Sequence, residues 1–305
     1  MNAIVSPPAL GEYDFAGLGI EPLGPVLGAE VSGVDLREPL DGEVVAAIHA
    51  ALLTHKVLVF RDQDIDYAQH IAFGRSFGEL ESHPVMAHVP GHPEILHIEP
   101  GDTEPVTQAT LCVRRPENKW HADVTFREQP SMAGILRART LPPLGGDTLF
   151  ADTEAVLADL PKDLRQRLSQ LKAEHDILKV YGPRVGEGRR ADLRRRFPAQ
   201  AHPVVRTHPE TGEKILFVNG FTTHFTNFHT PDNVRVGQDY THGGPDLLRY
   251  LLSQAQIPEY QVRWRWKPNS VAMWDNRATQ HYAVMDYPPC HRKMERAGIV
   301  GDKPF

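Results

Sequence analysis

Apolar positions along the chain follow two periods. Between Asp41 and Leu53, Val44, Val45, Ile48, Ala51 and Leu52 recur at helical spacing, which predicts a helix with one buried face. Lys56–Phe60 (KVLVF) is a short unbroken apolar run and predicts a buried strand. Residues 17–60 therefore read as strand, turn, helix, strand. Residues 66–77 predict a second helix that ends near Gly78, and residues 84–120 are broken by Pro and Gly. Thr125–Leu141 reads as extended, and Asp152–Leu171 as one or two helices with Pro161 at a start position. In VVRTHPETGEKILFV, residues 204–218, a Pro-Glu-Thr-Gly turn separates two apolar runs, which predicts a hairpin. Pro245–Ala255 predicts a helix after paired glycines. Val262–Trp266, Ser270–Asp275 and His291–Val300 predict strands. Residues 182–200, rich in Gly and Arg, read as a mobile excursion, and residues 222–244 as a polar, aromatic loop.

There is no internal repeat. The expected organisation is a disordered tail over residues 1–15 and one domain over 16–305, with insertions near 182–200 and 224–244. Many strands with peripheral helices favour a mainly β fold with a double-stranded β-helix (jelly-roll) core.

Composition narrows the class. The chain has 305 residues, 41% of them hydrophobic, enough for a sizeable core. A net charge of −6 gives no reason to expect nucleic acid or an anionic membrane as partner. No apolar stretch approaches the roughly 18 residues of a membrane span, and MNAIVSPPALGEYDF lacks the pattern of a signal peptide. The only two cysteines, Cys112 and Cys290, form no Cys-X-X-Cys pair, so a reducing, cytoplasmic compartment is expected. Sixteen histidines make a metal site worth seeking.

The sharpest local feature is Trp120-His121-Ala122-Asp123. On a strand, residues i and i+2 share a face, so His121 and Asp123 can approach one ion. An imidazole and a carboxylate are two thirds of the facial triad that holds non-haem Fe(II) and leaves positions open for substrate and O2. The segment 274–281 (WDNRATQH) ends a strand at His281, a candidate third ligand, with Asp275 and Asn276 placed to orient it. Eleven residues further, Arg292 can clamp a carboxylate in a forked pair. Thr148, after Gly145-Gly146-Asp147, offers a hydroxyl for the same carboxylate. Blander readings hold elsewhere. Trp264 and Trp266 share a face and read as packing, Arg189–Arg196 as a solvated helix face, and His224, His229 and His242 as polar loop residues rather than a second metal site.

Taken together, WHADVTF (120–126), LPPLGGDTLFAD (141–152), HPVVRTHPETGEKILFVNGFTT (202–223), VRWRWKP (262–268), WDNRATQHYA (274–283) and GDKPF (301–305) resemble the taurine dioxygenase (TauD/TfdA) family of Fe(II)- and 2-oxoglutarate-dependent dioxygenases. The resemblance spans most of the chain from residue 17. It implies His121, Asp123 and His281 as iron ligands, Thr148 and Arg292 on the distal carboxylate of 2-oxoglutarate, and O2 as second co-substrate. It also implies Arg296 and His83 against a substrate sulfonate and Phe221 as a pocket aromatic. Two positions depart from the taurine enzymes. Met86 stands in place of a tyrosine, and Glu117 in place of an asparagine near the amine end. A thioether donates no hydrogen bond, whereas Glu117 still attracts an ammonium.

The expected substrate is a small organic anion, first a sulfonate such as taurine, hydroxylated beside sulfur to give sulfite, an aldehyde, succinate and CO2. The alternatives are the same chemistry on an alkyl sulfate ester, a phenoxyacid or another organic acid, or a non-catalytic metal-binding jelly roll. A homo-oligomer is expected, with the 224–244 loop edging the pocket or a subunit contact.

Overall fold

A computed structural model of the chain describes residues 17–99, 119–228, 234–235, 238–239, 243–287 and 291–305. The expected tail, Cys112, Glu117, His229, Tyr240, His242 and Cys290 lie outside the described residues.

The main sheet contains β1 (Gly19–Pro22), β2 (Ala29–Ser32), β3 (Val57–Phe60), β4 (His88–Val89), β5 (His92–Ile98), β6 (Ser131–Thr140), β16 (Val271–Asp275) and β18 (Lys293–Val300), in the order β1-β2-β3-β16-β6-β18-β5-β4. A smaller sheet holds β7 (Thr148–Asp152), β15 (Gln261–Trp264) and β17 (Thr279–Ala283), with β7 in the middle. A third joins β8 (Lys172–His175) to β9 (Gln200–Pro203) and β12 (Thr222–Phe225). Two hairpins complete the strands, β10 (Val205–Thr207) with β11 (Lys214–Leu216), and β13 (Val234–Arg235) with β14 (Gln238–Asp239).

The first two sheets form the jelly roll, and β3 explains why KVLVF carries no polar alternation. Leu58 and Phe60 pack outward with Ile48 and Leu52 of α1 (Gly42–His55) and Phe73 of α2 (Tyr67–Arg75). Val57 and Val59 point inward, into a cluster with Phe150 of β7, Trp264 of β15 and Trp274 of β16. A strand covered on both faces reads as a continuous apolar run. Each large apolar side chain buried there contributes about 1.5–3 kcal/mol. Gly134 on β6 pairs with Trp274, and a Cβ there would lie 2.2 Å from the indole. The glycine thus makes room for the ring that stands 4.9 Å from the His281 imidazole.

Several elements differ from the sequence expectation. The extended stretch begins at Ser131, not Thr125, because residues 123–126 turn and Val124 takes a left-handed φ of 46°. The reason is a distant amide. Asn276 Nδ2 donates to the carbonyls of Asp123 (3.1 Å) and Ser131 (3.0 Å), and its Oδ1 accepts from Asp123 N–H (2.7 Å). Those backbone groups are satisfied without a strand partner. Asp152–Leu171 divides into α3 (Thr153–Asp159) and α4 (Lys162–Leu168). Asp152 caps α3 by accepting from the N–H groups of Glu154 and Ala155.

Residues 182–200, read as an excursion, follow α5 (Ile177–Tyr181) and contain α6 (Glu187–Arg196), whose Leu193 is buried. On α6, Arg189, Arg195 and Arg196 all pair with Asp192, a solvated helix face. Within the expected 222–244 loop, β12 forms, and Phe225 and Phe228 are buried with Leu248 and Leu251 of α7 (Gly243–Gln254). No helix among the described residues is long and apolar enough to cross a membrane.

Candidate active site

His121 sits beside β17 as a one-residue extension of the small sheet. Its N–H donates to the His281 carbonyl (3.1 Å), and His281 N–H donates back (2.8 Å). This reciprocal pair brings two segments 160 positions apart into register, with the imidazole centroids 4.2 Å apart. Asp123, fixed by Asn276, turns its carboxylate toward the same point. Oδ1 lies 3.8 Å from His121 Nε2 and Oδ2 lies 3.9 Å from His281 Nε2. One donor atom from each of the three residues falls within 4.8 Å of the others.

The protonation states suit a cation. His121 Nδ1 lies 2.7 Å from the Lys119 carbonyl, which can only accept, so that nitrogen carries the proton and Nε2 keeps its lone pair. Burial pushes His281 down to about 3, which keeps it neutral. Burial alone would raise Asp123. The Arg296 guanidinium outweighs it and holds the carboxyl well below the usual range. Among the described residues, the buried Asp123 Oδ2 and His281 Nδ1 find no hydrogen-bond partner. A carboxylate oxygen left bare beside two imidazole nitrogens is costly unless a cation takes it. Two imidazoles and one carboxylate are the donor set of a facial Fe(II) site.

The expected clamp for 2-oxoglutarate is Thr148 with Arg292. Thr148 opens β7, buried, and its Oγ1 accepts from Trp266 Nε1 at 2.9 Å, which leaves the hydroxyl proton as a donor. Trp266 therefore orients Thr148 rather than merely packing. Its spacing from Trp264 gave the shared face but not the partner. Arg292 is buried and donates to the Gly146 carbonyl at 3.1 Å. Gly145 and Gly146 both take left-handed φ, 77° and 75°, and a Cβ on Gly146 would come within 3.2 Å of Arg292 Nε. The glycine pair thus lets the loop pass close to the guanidinium.

The residues expected at the substrate fall on the other side of Asp123. Arg296, on β18, is ion-paired with Asp123 Oδ1 and lies 3.9 Å from Glu81 Oε1. Glu81 is itself held by Arg127 (2.5 Å) and Ser131 Oγ (2.8 Å), a buried support the sequence gave no sign of. His83 is buried, and burial, reinforced by Arg296, pushes it down to about 3. Phe221 is buried, with its ring 6.4 Å from His121. Met86 is half-buried and donates its backbone N–H to His83. Asp275, expected to orient the strand end near His281, accepts from His208 and Arg277.

Comparison with known proteins identifies the family. The profile of the family described as taurine catabolism dioxygenase TauD, TfdA matches residues 19–297. An alkylsulfatase of Acinetobacter baylyi is 36% identical, over 90% of this chain and 83% of that protein. An alpha-ketoglutarate-dependent sulfate ester dioxygenase of Pseudomonas putida is 34% identical, over 94% and 91%. The crystal structure of a taurine dioxygenase from Burkholderia xenovorans superposes with a TM-score of 0.76 at 36% identity, over 94% of this chain and 90% of that one. A family profile covering most of the chain, two full-length relatives and a shared fold leave one conclusion: the chain belongs to the TauD/TfdA family of Fe(II)- and 2-oxoglutarate-dependent dioxygenases.

Proposed function

We propose that this dioxygenase oxidises the carbon next to the head group of a small organic sulfate or sulfonate, an alkyl sulfate ester before taurine. The observation that carries the reading is the convergence of His121, Asp123 and His281 beside the buried cation Arg296. Bound Fe(II), with 2-oxoglutarate and O2, supplies the oxidation: the keto acid becomes succinate and CO2, one oxygen atom enters succinate and the other the substrate C–H bond.

The chain's own residues do the positioning. His121, Asp123 and His281 would hold the metal. Thr148 and Arg292 hold the distal carboxylate of 2-oxoglutarate, the guanidinium by charge and the hydroxyl by direction. Arg296 and His83 meet the substrate anion, and Phe221 walls the pocket. Anchored at its head group, the substrate would present the adjacent carbon for oxidation. Hydroxylation of a sulfate ester at that carbon is followed by loss of inorganic sulfate and formation of an aldehyde. A sulfonate gives the aldehyde and sulfite.

Two points favour the ester over taurine. Met86 provides no side-chain donor where the taurine enzymes carry a phenol. Two full-length relatives, moreover, bear sulfate-ester names. We also place the protein in the cytoplasm, from its two cysteines and acidic balance.

A panel of hexyl sulfate, taurine and a phenoxyacetate with iron-loaded protein tests the proposal, with succinate, sulfate and sulfite measured separately. Hexyl sulfate should yield succinate and sulfate, with kcat/KM about tenfold above taurine. Succinate from the phenoxyacid alone would move the substrate to a carboxylate.

A further inference from the structure

The glycine loop before β7 is tied to the segment after β17 by charged residues outside the site described above. Asp286 Oδ1 accepts from Gly146 N–H at 2.9 Å, and its Oδ2 accepts from Arg263 Nη2 at 3.1 Å. Arg263 Nε donates in turn to Asp147 Oδ2 at 2.6 Å. The pairing of β17 with β7 also continues one step beyond both strands, since Val284 N–H donates to the Asp147 carbonyl at 2.9 Å. One guanidinium on β15 thus joins two carboxylates, one at the end of the glycine loop and one that binds the loop from outside.

The loop is shaped for this approach. A Cβ on Gly145 would lie 2.5 Å from Asp286 Oδ1 and 3.1 Å from the Asp286 carbonyl oxygen. Gly146 is held on both sides: its N–H goes to Asp286, and its carbonyl accepts from Arg292 Nη2 at 3.1 Å. Tyr287, next to Asp286, sets its ring centroid 5.8 Å from the same guanidinium. Arg292 therefore rests against two groups, the Gly146 carbonyl and the Tyr287 ring, whose places depend on Asp286. Stability is a poor explanation for the network. The Arg263 and Asp286 side chains are 52% and 44% exposed, and an ion pair so open to water contributes little to folding. What such a network supplies is alignment of the groups it holds.

We propose that Asp147, Arg263 and Asp286 are positioning residues for 2-oxoglutarate. They set the Gly145-Gly146 loop, and through Gly146 and Tyr287 they fix the direction of the Arg292 guanidinium. The keto acid then meets a cation aligned before it arrives, which lowers the ordering cost of binding. Each of the three acts through Arg292 rather than on the keto acid itself. Asp286 has the largest share, because it holds both the loop amide and Arg263. The inference rests on the reading of Thr148 and Arg292 as the clamp for the distal carboxylate.

The test compares Asp286→Ala, Asp286→Asn and Arg263→Gln with wild type. Anaerobic titration of the Fe(II)-loaded proteins with 2-oxoglutarate, following the visible band, gives Kd. Asp286→Ala should raise Kd about tenfold, the usual scale for one hydrogen bond to a charged group. kcat at saturating keto acid should stay within about twofold. Asp286→Asn keeps an oxygen for the Gly146 N–H and should return Kd to within about threefold of wild type. Arg263→Gln, at the water-exposed end, should raise Kd about threefold. Hydrogen exchange of the ligand-free proteins is followed alongside. The Gly146 amide should exchange about tenfold faster in Asp286→Ala than in Asp286→Asn, while the amides of β16 keep their protection. A damaged fold would release both sets, so this readout separates a loosened loop from a failing protein. An unchanged Kd in Asp286→Ala overturns the inference and leaves the clamp reading in place. If that variant does not fold, an unchanged Kd in Arg263→Gln overturns it equally. An Arg292→Ala protein that binds 2-oxoglutarate as tightly as wild type overturns the clamp reading, and the inference with it.

Discussion

Asp123→Ala abolishes 2-oxoglutarate-driven oxygen uptake, a loss on the order of 10³-fold or more. Asp123 supplies the only carboxylate in a group whose other two donors are imidazoles. Without it the site loses a ligand and the negative charge that draws in a dication. Residues one shell out from a metal typically cost about 10–100-fold when removed, so a ligand costs more. The substitution also strips Arg296 of its closest counter-charge and leaves a buried guanidinium beside Glu81. Urea unfolding must therefore accompany the assay, to separate a dead site from an unfolded chain. Uptake retained in a folded Asp123→Ala protein would remove Asp123 from the ligand set.

The second large effect is on stability. Asp275→Ala lowers the free energy of unfolding by about 3–5 kcal/mol, the usual penalty for breaking a buried ion pair from one side. Asp275 ends β16 and is fully enclosed. It accepts from His208 Nε2 at 3.0 Å and from Arg277 Nε (2.9 Å) and Nη2 (2.7 Å). Burial would raise its pKa, but His208 and Arg277 reverse that and hold it well below the carboxylate range. His208 Nδ1 accepts from the N–H groups of Glu210 and Thr211, so Nε2–H is the proton aimed at Asp275. Arg277 also reaches Glu210 at 2.5 Å. Alanine at 275 leaves one guanidinium and one imidazole N–H without their carboxylate inside the fold. The same network shapes the turn into β17, where Thr279 Oγ1 donates to the Asp275 carbonyl two residues before His281. Linear extrapolation of urea curves for wild type and variant gives the number. A change under about 1 kcal/mol would show the network to be dispensable.

The two segments that carry chemistry were legible because their spacing is local. His121 and Asp123 are two apart, and the run from Trp274 to His281 is continuous, so residue types alone marked them. Their meeting was legible only through the expectation of a jelly roll. How they meet was not. The expectation of a strand through Asp123 gives way to a single bridge at His121 followed by a turn, because Asn276 takes both backbone groups of Asp123 from 153 positions away. Trp266 on Thr148 and Glu81 under Arg296 are equally non-local, and no periodicity records them. Tyr181 was hidden differently. It ends a five-residue helix, and only the fold carries its hydroxyl to His83. The helix α6 was obscured by composition, since its many arginines drown the one buried contact at Leu193.

Beneath every step lies the claim that one ferrous ion, shared by His121, Asp123 and His281, chelates 2-oxoglutarate in this cavity. Anaerobic addition of Fe(II) and 2-oxoglutarate to the purified protein addresses it without any need to know the substrate. A visible metal-to-ligand band that saturates at one iron per chain, and disappears in His121→Ala, is the expected outcome. No band at saturating iron and keto acid, or an undiminished band in His121→Ala, would put the metal somewhere else.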